Sequence, residues 1–337
     1  MSIPFESFSA SETSQFHYAV SHINSRRPVF QSLEAAWFVG VLEDFERLTH
    51  IRVTAFCLLQ DQVHLLLEVP PRPPTRPEES ELFAHLERSL SRGGPMVQAI
   101  RRQLEFSRMA ANEAHAQRVL DRVFSRMYDL GWFMKSIKQD FAQWYNSLTD
   151  QRGVLWESRY QSVLTGGTPV ELVSIAGALD WLALYEGEQS RRSRGSSSTF
   201  FEAFGKNPSF EPKIRFLVAH ALGTSPDLIS NQEAQRRYGR WIFGRKRNGF
   251  GLESIRSIVQ ECQAAGNWAT RTAATSSPEG AFPPWIRLAA CLTAEPLSAK
   301  RLTNEVSKLL GQIRDSGLGF EQADFLHGRF PEEDNVD

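Results

Sequence analysis

Two apolar segments separated by three polar residues constrain the fold of this chain more than any other feature. The segments cover 51–59 and 63–69, and Gln-Asp-Gln lies between them at 60–62. Their spacing and their content of β-branched residues predict a β-hairpin. A proline-rich break over 70–77 follows, where neither a helix nor a central strand can continue.

The segments around the hairpin carry further strand and helix patterns. They are a strand at 15–23, an amphipathic helix at 33–48, a set of helices over 79–146, a strand at 154–164 and a helix at 168–185. Together they predict an α+β fold, in which helices cover an antiparallel sheet of about four or five strands. The helices at about 78–130 form a long insertion after the hairpin.

A polar segment at 188–199 divides the chain. It consists of small and charged residues without an apolar anchor, which is typical of a linker. We therefore expect a first domain at 1–187 and a mostly helical C-terminal domain at 200–337. A length of 337 residues agrees with two domains of roughly 100–200 residues each.

Composition excludes several classes of protein. The formal net charge of −1 argues against a protein that coats nucleic acid by bulk attraction, so any binding has to be local. The three cysteines are far apart in the sequence and lack Cys-x-x-Cys spacing, which favours a reducing compartment. No long apolar run or signal-peptide pattern occurs, so we expect a soluble cytoplasmic protein that does not bind membranes.

The hairpin from Ala55 to Pro70 resembles the metal-binding core of the REP-associated tyrosine transposases, which are insertion-sequence-200-like members of the HUH superfamily. Further blocks agree with the family in order: Phe16-His17 with Arg26 to Phe30, Phe133 to Gln139 with Trp144-Tyr145-Asn146, and Leu155 to Ser162. The resemblance covers residues 16–187 and implies an HUH-type, ferredoxin-like sheet.

The resemblance also implies a chemistry. In the family, two histidines at i and i+2 lie on one face of a strand, with Cβ atoms about 7 Å apart, and bind one Mg²⁺ or Mn²⁺ ion. A helix places a tyrosine over the metal, with an amide ligand four residues later. The tyrosine oxygen attacks the scissile phosphate and becomes covalently linked to single-stranded DNA.

This sequence departs from that pattern at three positions. Gln62 stands where the first histidine belongs, so His64 is the remaining imidazole. The segment from Ala178 to Gly187 aligns with the family's catalytic helix, with Asp180 and Gly187 fixing the register. Ala178 then occupies the nucleophile position and Leu182 the amide position, and neither side chain can perform the family's step. We therefore expect no intact catalytic residue and no cofactor.

Two alternatives keep some chemistry at this site. Gln62 and His64 are a remnant metal pair if the amide oxygen accepts Mg²⁺ or Mn²⁺, although a lone histidine on a sheet is more often structural. Tyr185 is a substitute nucleophile only if the site is rebuilt, because it lies about 10 Å along the helix from Ala178.

Candidate DNA-binding residues lie on both sides of the linker. In the first domain they are Lys135, Lys138, Trp156, Arg159 and Tyr160, where cations could bind phosphates and aromatic rings could stack on bases. The other interpretation of Trp156 and Tyr160 is that they pack the sheet against helices.

In the C-terminal domain six basic residues and no acidic one lie between Glu233 and Glu253, interleaved with Tyr238, Trp241 and Phe243. Arg245, Lys246 and Arg247 are the cluster that we expect to contact DNA. A solvated basic turn is the alternative.

These observations predict a transposase-like pseudoenzyme that binds single-stranded or hairpin DNA, a decayed or domesticated transposase that could form a homodimer as family members do. Two other hypotheses remain open. One is an active tyrosine transposase or nickase with a non-standard site and Mg²⁺ or Mn²⁺. The other is a protein-interaction module that does not bind DNA.

Overall fold

The strands predicted around the hairpin pair into one antiparallel sheet. The computed structural model describes residues 14–24, 27–89, 94–157, 159–165 and 207–243, together with short stretches between 167 and 203. The strands are β1 Gln15–His22, β2 Arg52–Leu58, β3 Gln62–Val69, β4 Gln161–Thr165 and β5 Ser197–Ser198. Their order across the sheet is β4-β1-β3-β2-β5.

Helices account for most of the remaining described chain. They are α1 Ser32–Leu48, α2 Glu79–Ser89, α3 Gly94–Met109, α4 Glu113–Arg126, α5 Leu130–Thr149, α6 Glu211–Leu222 and α7 Asn231–Phe243. Residues 175–180 are also helical and are called the 175–180 helix below. The predicted α+β class and antiparallel sheet are confirmed. Within the described residues no helix is both long and apolar enough to cross a bilayer.

The predicted hairpin is present as β2 and β3, and its turn is tied to the chain that follows β1. The backbone N–H groups of Val29 and Phe30 donate to the carbonyl of Gln60 at 2.8 and 3.0 Å, and that of Ile23 donates to Asp61 at 2.8 Å. These bonds satisfy turn carbonyls that would otherwise lack partners. They hold the hairpin end, where Gln62 and His64 lie, in a fixed position.

The core on one side of the sheet is aromatic. Phe38 of α1 and Phe141 of α5 pack edge to face, with ring centroids 5.2 Å apart, and Phe30 stacks on Phe141 at 5.0 Å. All three are fully buried with the sheet residues. The predicted apolar positions Val41 and Leu42 of α1 are buried in the same cluster, whereas Leu33 at the start of the helix is exposed.

The helical insertion forms its own small core. Buried side chains of α2, α3 and α4, including Leu86, Leu104 and Leu120, pack together with Leu48 at the end of α1. Asn112 caps α4 by accepting from the backbone N–H of His115 at 3.0 Å, and Asp129 caps α5 by accepting from that of Trp132 at 2.9 Å. Helix α2 ends at Ser89 and α3 begins at Gly94.

The strand predicted at 154–164 is shorter in the structure. Regular pairing is confined to β4, and Trp156 makes a single bridge with Ile23. The indole of Trp156 turns into the core, where Nε1 donates to the carbonyl of Lys138 at 2.9 Å.

The predicted linker also ends earlier than its composition indicates. Ser197 and Ser198 pair with Leu58 and Cys57 at the sheet edge, and the Thr199 hydroxyl accepts from the backbone N–H of Phe56 at 2.8 Å. Small polar residues suit an edge strand because backbone hydrogen bonds alone attach it. The rest of the predicted linker, 188–196, lies outside the described residues.

The helices after the predicted linker share the core of the sheet. Phe216 and Leu217 of α6 and Trp241 of α7 belong to the same buried cluster as the strands. Lys213 of α6 is buried, and its Nζ donates to Glu46 at 2.6 Å and to the carbonyl of Val53 at 2.7 Å. The described part of the predicted C-terminal domain is thus packed against the first domain, not separated from it.

Candidate functional site

The position of the predicted metal centre is a closed hydrogen-bonded cluster. Alternation along β3 places Gln62 and His64 on one face, as the sequence predicts. The Tyr18 hydroxyl lies 2.6 Å from Nδ1 of His64, and Oε1 of Gln62 lies 3.2 Å from Nε2. An amide oxygen only accepts hydrogen bonds, so Nε2 carries the proton and Nδ1 accepts from Tyr18. Both ring nitrogens of His64 are therefore engaged.

Burial reinforces this arrangement. His64 is 1% exposed, Tyr18 is fully buried, and Cys57 lies directly across from His64 on β2. Burial, with a smaller contribution from Cys57, raises the pKa of Tyr18 well above its ordinary value. The phenol therefore remains a donor throughout the physiological pH range, and a metal ion would have to displace it to reach Nδ1.

The residues present do not fit a divalent metal at this position. The described part of the chain contains no group of three or more His, Cys, Asp and Glu side chains arranged to hold a metal ion. Beside His64 the face offers the Gln62 amide, which is already hydrogen-bonded to the imidazole. A phenol and a single engaged imidazole are poor ligands for Mg²⁺ or Mn²⁺, which prefer carboxylate and other oxygen donors.

The helix that aligns with the family's catalytic helix is packed into the core. Ala178 is 5% exposed and Asp180 is 1% exposed. The Tyr238 hydroxyl of α7 donates to Oδ2 of Asp180 at 2.6 Å, and burial, followed by Asp180, raises the pKa of Tyr238 well above its ordinary value. Asp180 is thus an anchor between two helices. The side chains of Leu182 and Tyr185 lie outside the described residues.

Trp156 occupies the core and does not present its ring to a ligand. It is 7% exposed, and its ring centroid lies 6.1 to 6.3 Å from those of Phe30, Phe38 and Phe141. Of the two interpretations of this tryptophan, packing between sheet and helices is the one that matches its surroundings. Base stacking by Trp156 would require the aromatic core to open.

The other first-domain candidates lie on α5 or in the segment that follows it. Lys138 places Nζ 5.1 Å above the Trp156 ring, and burial lowers its pKa to about 8. Tyr160 is half-buried at the first turn of α5, where burial and the nearby Asp129 raise its pKa. Lys135 and Arg159 are exposed. We call Lys135, Lys138, Arg159 and Tyr160 the α5 flank.

The basic run of the C-terminal region is only partly within the described residues. Arg236 and Arg237 pair with Glu233 at 3.5 and 2.7 Å. Tyr238 and Trp241 are buried, so the aromatic residues interleaved with these cations at the described positions belong to the core. Arg245, Lys246 and Arg247 lie outside the described residues.

Local sequence patterns do not indicate the buried contact of Tyr18, and they place Tyr238 in a basic run without indicating its contact with Asp180. The available signal for Tyr18 was its place in a strand next to the hairpin, but only the register pairs it diagonally with His64. Comparisons of the chain with protein-family models, with curated proteins and with solved structures found no match.

Proposed function

We propose that this protein is a non-catalytic, transposase-like protein that binds single-stranded or hairpin DNA. The observation that carries the non-catalytic part is the engagement of both nitrogens of His64, by Tyr18 and Gln62. A catalytic metal needs free ligand lone pairs and an open coordination position, and this buried cluster supplies neither.

The topology supports an HUH-type origin. Helix α1 joins β1 to β2, the hairpin joins β2 to β3, and the insertion with α5 joins β3 to β4. This βαββαβ order is that of the ferredoxin-like motif. The resemblance of residues 16–187 to the REP-associated transposases adds the expectation of single-stranded DNA as partner.

The α5 flank supports a DNA contact at a local, positively charged surface. Lys135 and Arg159 are exposed, Lys138 lies over the Trp156 ring, and the Tyr160 hydroxyl lies near the first turn of α5. Cations of this kind bind phosphates without needing an overall basic protein. Even with its pKa lowered to about 8, Lys138 is mostly protonated at neutral pH and therefore carries the charge that a phosphate contact needs.

A gel experiment tests both parts of the proposal. The full chain is incubated with a labelled single-stranded hairpin in EDTA or in Mn²⁺, and each sample is run on native and denaturing gels. We expect a shifted band on the native gel in both conditions and no covalent species on the denaturing gel. A covalent band that disappears in Tyr185→Phe would establish the active-enzyme alternative, and the absence of any shift at low salt would refute DNA binding.

A further inference from the structure

Helix α4 carries a row of arginines along one flank. Arg118, Arg122 and Arg126 recur every four residues and are exposed, so consecutive guanidinium groups lie about 6 Å apart along the helix axis. Among the described residues, no hydrogen bond or ion pair involves these three side chains. We call them the α4 arginines.

Other arginines of the insertion behave differently. Arg76 pairs with Asp121 at 3.0 Å, Arg101 with Glu87 at 2.5 Å and Arg108 with Glu79 at 2.5 Å. Carboxylates are therefore available in this region, yet they lie beside other cations. The α4 arginines form a positive row that is not neutralised by the described part of the chain.

A pocket opens beside this row, between the helices of the insertion and the start of α5. Its volume is about 100 Å³, and its walls include Leu86, Ile100, Val119 and Trp132. The charged residues of its lining are Arg122 and Arg126, and no carboxylate of the described chain contributes to it. The volume exceeds the share of about 30 Å³ that one water molecule occupies in the liquid.

We propose that this pocket and the α4 arginines form a further contact for single-stranded DNA. The α4 arginines bind consecutive phosphates, and an unstacked base enters the pocket against Trp132. The inference rests on the proposed function and assigns it a second surface, apart from the α5 flank.

The chemistry of the site favours a nucleic-acid strand over other occupants. Arginine binds phosphate oxygens through two parallel N–H groups, which suits a repeating anion. An aromatic wall beside a row of cations is the arrangement that binds single strands without reading their sequence. An acidic protein segment would satisfy the arginines too, but its carboxylates do not recur at the regular spacing of a phosphate backbone.

A charge-matched pair of variants tests the contribution of the α4 arginines. Arg118→Gln/Arg122→Gln/Arg126→Gln removes the row, and Arg101→Gln/Arg102→Gln/Arg108→Gln removes the same charge from α3 in the same insertion. The first variant should lower the affinity for a labelled hairpin about tenfold or more and make the slope of log affinity against log salt shallower by up to about 2, at about 0.7 per phosphate. The second should change the affinity less than threefold. Circular dichroism confirms that both are folded.

A cross-linking measurement on the unaltered full chain tests the pocket itself. A hairpin that carries 5-iodouracil is bound and irradiated, and tryptic peptides are analysed by mass spectrometry. We expect an adduct on the peptide 127–135, which contains Trp132. If the hairpin binds, but the two variants have equal affinity and this peptide carries no adduct, the inference is refuted and the proposed function stands. If the unaltered chain does not bind the hairpin, the proposed function fails and the inference fails with it.

Discussion

The hydroxyl of Tyr18 donates a 2.6 Å hydrogen bond to Nδ1 of His64, across two neighbouring strands and at a place without access to solvent. Nε2 of the same ring lies 3.2 Å from Oε1 of Gln62. Both nitrogens of the imidazole thus belong to a buried contact between β1 and β3.

Removing the Tyr18 hydroxyl should affect stability and not DNA binding. Tyr18→Phe leaves Nδ1 of His64 buried without its donor, which should lower the free energy of unfolding by about 1–3 kcal/mol. Urea unfolding followed by fluorescence measures the change. Affinity for a single-stranded hairpin, measured on the folded variant, should be unaltered. A loss of affinity at unchanged stability would mean that the cluster contacts DNA.

Restoring the tyrosine at the nucleophile position should destabilise the protein. Ala178 is buried, so Ala178→Tyr forces a large ring into a filled site and should lower the free energy of unfolding by about 1–3 kcal/mol or more. Ala178→Ser, the small control, should cost less. A stable Ala178→Tyr variant that forms a covalent DNA adduct with Mn²⁺ would show that the site is still assembled.

The three residues that differ from the family pattern, at positions 62, 178 and 182, should have to be replaced together before any cleavage is seen. Gln62→His returns an imidazole without a nucleophile, and Ala178→Tyr returns a nucleophile without a complete metal site. Only Gln62→His/Ala178→Tyr/Leu182→Asn should give detectable cleavage, because groups that act as a unit contribute non-additively. Denaturing gels measure the adduct. Cleavage by Gln62→His alone would mean that Ala178 does not occupy the nucleophile position.

Acid should lower the stability of the protein through His50, which packs against the helical insertion. This ring stacks on Tyr128 and His85, with centroids 4.5 and 5.4 Å away. Burial, then the charges of His85 and Arg52, lower its pKa from 6.5 to about 4. The unfolded chain therefore binds more protons between those values, so stability is complete above about pH 6.5 and falls by about 3 kcal/mol as the pH drops towards 4.

Urea unfolding at pH 7.0 and at lower values checks this dependence. The comparison is with His50→Phe, which keeps an aromatic ring against Tyr128 but cannot take up a proton. The variant should lose less stability than the unaltered protein over the same range. Equal losses in the two proteins would place the acid sensitivity elsewhere.

Trp156 should behave as a core residue. Trp156→Ala opens a cavity among Phe30, Phe38 and Phe141 and should cost about 3–5 kcal/mol of stability. Trp156→Phe, which keeps an aromatic ring, should cost less. Under conditions in which both are folded, hairpin affinity should match that of the unaltered protein. A drop of tenfold or more in the folded Trp156→Phe variant would restore the base-stacking role.

The sequence predicts elements better than it predicts contacts. The hairpin and α1 are readable because their apolar periodicity reports directly which face is buried. The pairing of Tyr18 with His64 spans 46 positions and depends on strand register, which local patterns do not encode. Likewise the serines at 197–198 have the composition of a linker, and their place at the sheet edge follows from backbone bonding that is independent of side chains.

At the candidate site, aromatic residues account for most of the difference between the sequence-based prediction and the structure. Tyr238 and Trp241 are interleaved with cations in the sequence, and Trp156 lies three residues before Arg159, patterns that are also found in proteins that bind single strands. In the structure all three are buried. Burial of a large ring removes a large apolar area from water, and the neighbouring residues in the sequence do not show whether a ring is buried. Conversely, Arg118, Arg122 and Arg126 form a visible row in the sequence, but the pocket beside them is assembled from five helices and becomes apparent only in the fold.

The affinity of the full chain for a single-stranded hairpin, measured by fluorescence anisotropy in EDTA over a range of salt concentrations, tests the central claim most directly. We expect saturable binding at low salt. The logarithm of the affinity should fall linearly with the logarithm of the salt concentration, and the affinity should be unchanged when Mn²⁺ replaces EDTA. Binding that requires Mn²⁺ would contradict the non-catalytic proposal, and the absence of binding at low salt would contradict the DNA-binding proposal.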